Sequence, residues 1–89
     1  MIDGTVTVKN ASGLHARLAR VLVDELSEYE AEVTFQNGDI QAGCDSIMEL
    51  MMLSAPSGTR LQYSIKGDDE QQVRERIHSL FESGFQTDG

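Results

Sequence analysis

The sequence has one cysteine, one proline and no long apolar run, and each shortage removes a class of protein. The lone thiol, Cys44, can close no internal disulfide, and no N-terminal stretch joins basic residues to an apolar run of signal-peptide length; both point to the cytoplasm. The longest apolar stretch, 47–53, is interrupted by Glu49 and falls far short of the roughly 20 residues that a membrane-crossing helix needs, so no membrane insertion is expected. Basic residues are scarce too. Seven Lys and Arg against fifteen Asp and Glu give a net charge of −8, which repels phosphate backbones and anionic lipid and argues against nucleic acid as a partner. Two histidines on separate elements and a single cysteine offer no metal-ligand spacing, so neither a metal nor a cofactor is expected.

What is present fits one small domain spanning 1–89. A chain of 89 residues builds one core and buries too little surface to enclose a sizeable substrate cavity cheaply, which favours chemistry at the surface. There is no repeat, linker or low-complexity tract, and the only proline lies in the loop-like Ser54-Ala55-Pro56-Ser57-Gly58. Ile2, Val6 and Val8 share one parity and predict a half-buried strand, which the turn-rich 10–13 should end. Leu18, Val21, Leu22, Leu26 and Tyr29 follow with helical spacing from Ala16. Val33 and Phe35, then Asn37-Gly38, then Ile40 and Ala42 predict a tight hairpin. Ser46 and Glu49 form a capping-box pattern ahead of a short helix with Ile47, Leu50 and Met51 on its inner stripe. Leu61, Tyr63 and Ile65 alternate as a fourth strand. Asp68 or Asp69 then caps a third helix with Val73, Ile77, Leu80 and Phe81 inward, closed by Gly84. The order is βαββαβα, an α+β layer in which a four-stranded antiparallel sheet is covered on one face by three helices.

One segment carries chemistry. His15 stands where the first helix opens, facing backbone N–H groups with no helical partner and the positive end of the macrodipole. Both favour an uncharged ring with a lone pair for nucleophilic attack. The N–H groups of Ala16 and Arg17 can also bind phosphoryl oxygens once a phosphate has been accepted. The Arg17 guanidinium suits phosphate geometry, and Gly13 permits a close backbone approach. Arg17 and Arg20 lie in a stretch without acidic residues from Asn10 to Val23, a positive patch on a negative molecule. A lone histidine at a helix start is in most sequences only a polar residue; these neighbours shift the balance toward phosphoryl transfer. His78, late in the third helix and four residues before Glu82, reads as a solvated or dipole-complementing side chain.

Gly13-Leu14-His15-Ala16-Arg17, placed after one strand and opening a helix in a chain of this length, resembles the HPr-type phosphocarriers of the phosphoenolpyruvate-dependent phosphotransferase system. Ser46 before Ile47-Met48, and Ser57-Gly58-Thr59 before the fourth strand, extend the resemblance over the whole chain. It implies an open-faced β-sandwich with strand order 1-4-2-3 and the helices on one side. It also implies that His15 accepts a phosphoryl group on Nδ1 from Enzyme I, of the sugar or the nitrogen type, and passes it to a histidine of an EIIA-type protein. The runs Ser79 to Phe85 and Met51-Met52-Leu53 look more like the nitrogen-branch relative, NPr. The chain departs from the family where Leu18 stands in place of the usual proline after His-Ala-Arg. Leu18 adds a backbone donor and removes a rigid residue from the first turn, which bears on the geometry and rate of transfer.

Ser46 has two readings. It is the cap of the second helix, a role worth on the order of 1 kcal/mol; by resemblance it also occupies a regulatory serine that an HPr kinase phosphorylates in some members. Asp45 and Glu49 would repel a phosphate there, so the cap is favoured as its only role. Partner contacts are expected from Leu18, Arg20, Ile47, Met48, Met51 and Met52, with Arg17 among them; Met48 and Met52 lie toward the edge of the second helix or outside it. Two other functions compete with the relay. A regulatory binding module of the same fold would have lost efficient transfer through Leu18. An unrelated small enzyme would need a second catalytic group, and nothing near His15 offers a carboxylate to activate water.

Overall fold

The structure, a computed structural model, describes residues 1–86. Four strands, β1 (Ile2–Thr7), β2 (Glu32–Asn37), β3 (Ile40–Gly43) and β4 (Arg60–Lys66), alternate with three helices, α1 (Ala16–Leu26), α2 (Ile47–Met52) and α3 (Glu70–Glu82). The sheet is antiparallel with order β1-β4-β2-β3. The predicted architecture and strand order both hold.

Strand parity decides which side chains face the helices. Val6, Leu61, Tyr63, Ile65, Val33, Phe35 and Ala42 point into the core. The opposite face is polar, and a row of Thr5, Gln62, Gln36 and Gln41 crosses all four strands in register. Tyr63 pairs with Gly4, and its phenol ring lies over the space a Cβ at Gly4 would fill. From α1, Leu18, Ala19, Leu22 and Leu26 close over the sheet, and from α3, Val73, Ile77, Leu80 and Phe81. Each large aliphatic side chain so buried contributes about 1.5–3 kcal/mol. Phe35 meets Phe81 across the layers, ring centroids 5.8 Å apart.

Several local expectations shift. The hairpin turn is Gly38-Asp39, one residue later than expected, with Asn37 paired to Ile40. Gly38 has φ 62°, which suits the first central position of a two-residue turn. Asn37 remains in β2 and donates from Nδ2 to the Leu53 carbonyl at 2.8 Å, tying the strand to the end of α2. The capping box at Ser46 is half made. Ser46 Oγ accepts the Glu49 amide at 3.2 Å, but the Glu49 carboxylate takes the Gly43 N–H at 3.0 Å instead of turning back to Ser46. Asp69 occupies the cap position of α3 without capping it; its Oδ2 accepts the Glu30 N–H at 2.7 Å and joins two loops. Tyr29 lies beyond α1, and Met51 is 46% exposed instead of inward. With α2 only six residues long, Leu50 and Leu53 fill the space beneath it and Ile47 is half-buried.

Past α3 the chain makes a 3-10 turn, Gly84–Gln86, that periodicity did not predict. Gly84 has φ 64° and Phe85 φ 60°. Left-handed backbone at a bulky residue costs about 1–2 kcal/mol. Burial of the Phe85 ring against Phe81, 4.9 Å between centroids in an edge-on contact, offsets it.

Candidate phosphoacceptor site

The segment between β1 and α1 is held on both flanks. At the end of β1, Val8 exchanges hydrogen bonds with the next loop: its N–H donates to the Thr59 carbonyl at 2.8 Å, and its carbonyl accepts the Gly58 N–H at 2.7 Å. Gly13 turns the chain with φ 76°, and a Cβ there would fall 2.6 Å from the Ala55 carbonyl oxygen and 2.9 Å from Pro56 Cα. Only glycine fits both the dihedral and the space. Leu14 is buried and donates its N–H to the Ala55 carbonyl at 2.8 Å. The loop that bears His15 thus leans on the α2–β4 loop.

His15 is the N-cap residue of α1, with extended backbone (φ −93°, ψ 178°). Its carbonyl accepts the first helical hydrogen bond, from Ala19 N–H at 3.0 Å, so the amides of Ala16, Arg17 and Leu18 precede the helical ladder. The imidazole makes no capping hydrogen bond and is partly exposed. Ala16 and Arg17 are exposed, and the first turn contains no acidic residue. Among the described residues Arg17 is in no ion pair, whereas Arg20 pairs with Asp24 at 3.7 Å. A partly exposed imidazole, amides directed out of a helix end and a guanidinium outside any described ion pair suit a tetrahedral anion.

Leu18 is not at this surface. It is fully buried beside Leu22 in the stripe of α1, because the third helical position points inward when the first two face solvent. That corrects its expected role as a partner contact. It also bears on the missing proline: the first turn that a pyrrolidine ring would stiffen is anchored here by a packed side chain. Arg20, Met48 (74% exposed), Met51 and Met52 (63% exposed) do lie outside, on two helices that pack together. Ile47 sits at the edge of this apolar patch. Ser46 is partly buried at the head of α2.

His78, expected as a solvated or dipole-complementing side chain, is 38% exposed with Glu82 beside it, and it has in addition a partner on the sheet that spacing did not show. Its Nε2 lies 2.7 Å from the Tyr63 hydroxyl, and its ring stands edge-on to the tyrosine at 5.5 Å. Nδ1 faces Glu82 at 3.9 Å. Burial pushes the Tyr63 phenol up from its ordinary value, with the nearby Arg74 charge opposing. Cys44 is buried as expected; burial, then the Asp45 charge, push its thiol up to about 12, which leaves no reactive thiolate. Among the described residues no group of three or more His, Cys, Asp and Glu could hold a metal ion, and no helix is long and apolar enough to cross a membrane.

The family profile described as "PTS HPr component phosphorylation site" matches residues 2–83. The chain is 36% identical over 84 residues to the phosphocarrier protein NPr of Proteus mirabilis, covering 93% of each chain. It is 34% identical over 88 residues to the phosphocarrier protein HPr of Xylella fastidiosa, covering 99% of each. The crystal structure of HPr from Thermoanaerobacter tengcongensis superposes with a TM-score of 0.91 at 31% identity, over 98% of both chains. By sequence along nearly its whole length, and by the fold that sets His15 at a helix opening, the chain belongs to the HPr family of phosphotransferase-system phosphocarriers.

Proposed function

We propose that His15 is the phosphoryl acceptor and that the chain relays the group between two proteins of the phosphotransferase system. A lone pair on Nδ1 attacks the phosphorus carried by Enzyme I, which draws its phosphoryl group from phosphoenolpyruvate. The bond from phosphorus to Enzyme I breaks as the new N–P bond forms, and attack by a histidine of an EIIA-type protein reverses the loading. The N–H groups of Ala16 and Arg17 and the Arg17 guanidinium receive the phosphoryl oxygens. The observation that carries this reading is the partly exposed, uncapped imidazole at the N-cap of α1 beside an exposed arginine outside any described ion pair. The chain turns over no small molecule by itself, and the cytoplasm is where it would meet Enzyme I.

Arg17, Arg20, Met48, Met51 and Met52, with Ile47 at the edge, form the surface that meets both partners. Charged and apolar groups side by side supply orientation and adaptable contact. Ser46 serves as a cap alone: its Oγ already accepts the Glu49 amide, and Asp45 and Glu49 oppose a phosphate there. The closing run Ser79 to Phe85 favours the nitrogen branch.

The test is incubation with Enzyme I, Mg²⁺ and phosphoenolpyruvate. An acid-labile, alkali-stable phosphate that His15→Ala abolishes is the expected result. No phosphate on the wild-type chain would overturn the relay and leave the regulatory reading. Pairing with sugar-branch and nitrogen-branch Enzyme I assigns the branch.

A further inference from the structure

The loop before His15 has a second anchor, from the far end of the sequence. Asn10 is, among the described residues, the one amide or charged side chain withdrawn from solvent, at 5% exposed. Its Nδ2 donates to the Gly84 carbonyl at 2.5 Å, across 74 residues of chain. The Asn10 backbone carbonyl accepts the Gly13 N–H at 3.0 Å and so closes the turn that delivers Leu14 and His15. Breaking the bond from a buried amide donor costs that donor's desolvation, so the bond to Gly84 ties the loop to the end of α3.

The Gly84 carbonyl is available because α3 ends in an unusual hook. Gly84 and Phe85 are consecutive left-handed residues; the first redirects the chain and the second buries its ring against Phe81. A chain that merely stopped being helical after Glu82 would not need a bulky residue in that conformation. The hook holds the acceptor still while Asn10 reaches it. The other side of the same loop is held by Leu14 N–H on the Ala55 carbonyl, so the segment 10–14 is gripped from both sides.

We infer that Asn10, held by the Gly84–Phe85 hook, is a positioning residue: it sets the orientation of the His15 ring through the Gly13 turn and touches neither phosphate nor partner. This rests on His15 being the phosphoryl acceptor. A displacement of a reacting atom by a fraction of an ångström costs rate without costing affinity for a protein that docks elsewhere on the surface.

The test combines kinetics with the two histidine rings as internal probes. Asn10→Ala is expected to lower kcat for phosphorylation by Enzyme I by about ten-fold while KM for the chain stays within about two-fold. It should also shift the ring C–H NMR signals of His15 and leave those of His78 in place. Phe85→Ala, which removes the hook and keeps the amide, should move the same signals, and it decides the matter should Asn10→Ala not fold. Val73→Ala, a core truncation at the other end of α3, supplies the stability control and should move neither His15 signal nor kcat beyond what its loss of folded protein explains. Unmoved His15 signals in both test variants, or equal movement in the Val73→Ala control, would overturn the positioning. If the wild-type chain takes up no phosphoryl group, the acceptor reading fails by itself, and the ring signals still decide whether Asn10 orients His15.

Discussion

The two histidines of this chain have the same ring and opposite situations. His78, on a regular helix interior, is engaged: the Tyr63 hydroxyl meets one nitrogen and Glu82 faces the other. His15, on a residue that is only half in its helix, makes no capping hydrogen bond. The difference comes from the backbone around each. A residue on a formed helix turn packs on whatever the sheet presents, and here that is a phenol laid over Gly4. An N-cap residue with extended dihedrals projects its side chain off the helix end, among amides that lack intrahelical acceptors. Availability of a nitrogen is thus set by position in the fold before any neighbouring charge acts.

The largest effect that could break this contrast is a direct exchange of roles. His15→Ala should abolish acid-labile phosphate incorporation, whereas His78→Ala should keep it and lower stability to urea by about 0.5–1.5 kcal/mol, through the hydrogen bond it takes from the part-buried Tyr63 hydroxyl. Phosphate incorporation that survives His15→Ala and vanishes in His78→Ala would invert the assignment. Next in size is Gly13→Ala. The added methyl meets the Ala55 carbonyl at 2.6 Å in a left-handed conformation, and a cost of about 1–3 kcal/mol in urea titration is expected together with slower phosphorylation. Unchanged stability would mean that the two loops are not held together.

A smaller effect sharpens the contrast by pH. The Tyr63 phenol is pushed up from its ordinary value of 10.0 by burial. Its folded form therefore holds a proton that the unfolded chain releases first, and stability present below that value is lost as pH rises through the folded pKa. Cys44 adds a loss of the same sign between its ordinary 9.0 and about 12, at a slope of at most about 1.4 kcal/mol per pH unit. Urea titrations in a Cys44→Ala background should therefore retain an alkaline loss that Tyr63→Phe removes. The smallest change in stability is expected of Met48→Asp, within about 0.5 kcal/mol because the side chain is 74% exposed, with phosphoryl exchange weakened several-fold. Exchange at the wild-type rate would remove α2 from the partner surface.

Much of the fold was legible because it rests on spacing. Val6 on β1, Leu22 and Leu26 on α1, Phe35 on β2 and Ile77 on α3 obey periods of two or 3.6, and burial follows period closely when an element is long enough to have a defined face. Legibility failed where elements are short or where partners are distant in sequence. On the six-residue α2 a face is poorly defined, so Met51 turned outward. Leu18 carries two readings along the chain, a member of the helical stripe and a neighbour of the candidate site, and packing decides for the stripe. Glu49 and Asp69 each had the expected local partner and bonded instead to a backbone N–H from another segment, Gly43 and Glu30. The bond between Tyr63 and His78 depends on an absent side chain at Gly4, and Asn10 on a carbonyl 74 residues away; no window along the chain contains either. The candidate site was legible for the opposite reason, since His15, Ala16 and Arg17 are consecutive and a helix start is itself a local event.

The single hydrogen bond from Leu14 to Ala55 makes the end of α2 and the start of α1 one mechanical piece. A protein seated on the methionines would sit three residues of chain, Leu53 to Ala55, from the bond that holds the peptide bearing the imidazole. If both partners dock there as proposed, each meets the ring at the same offset from the methionines, and one surface serves loading and unloading alike.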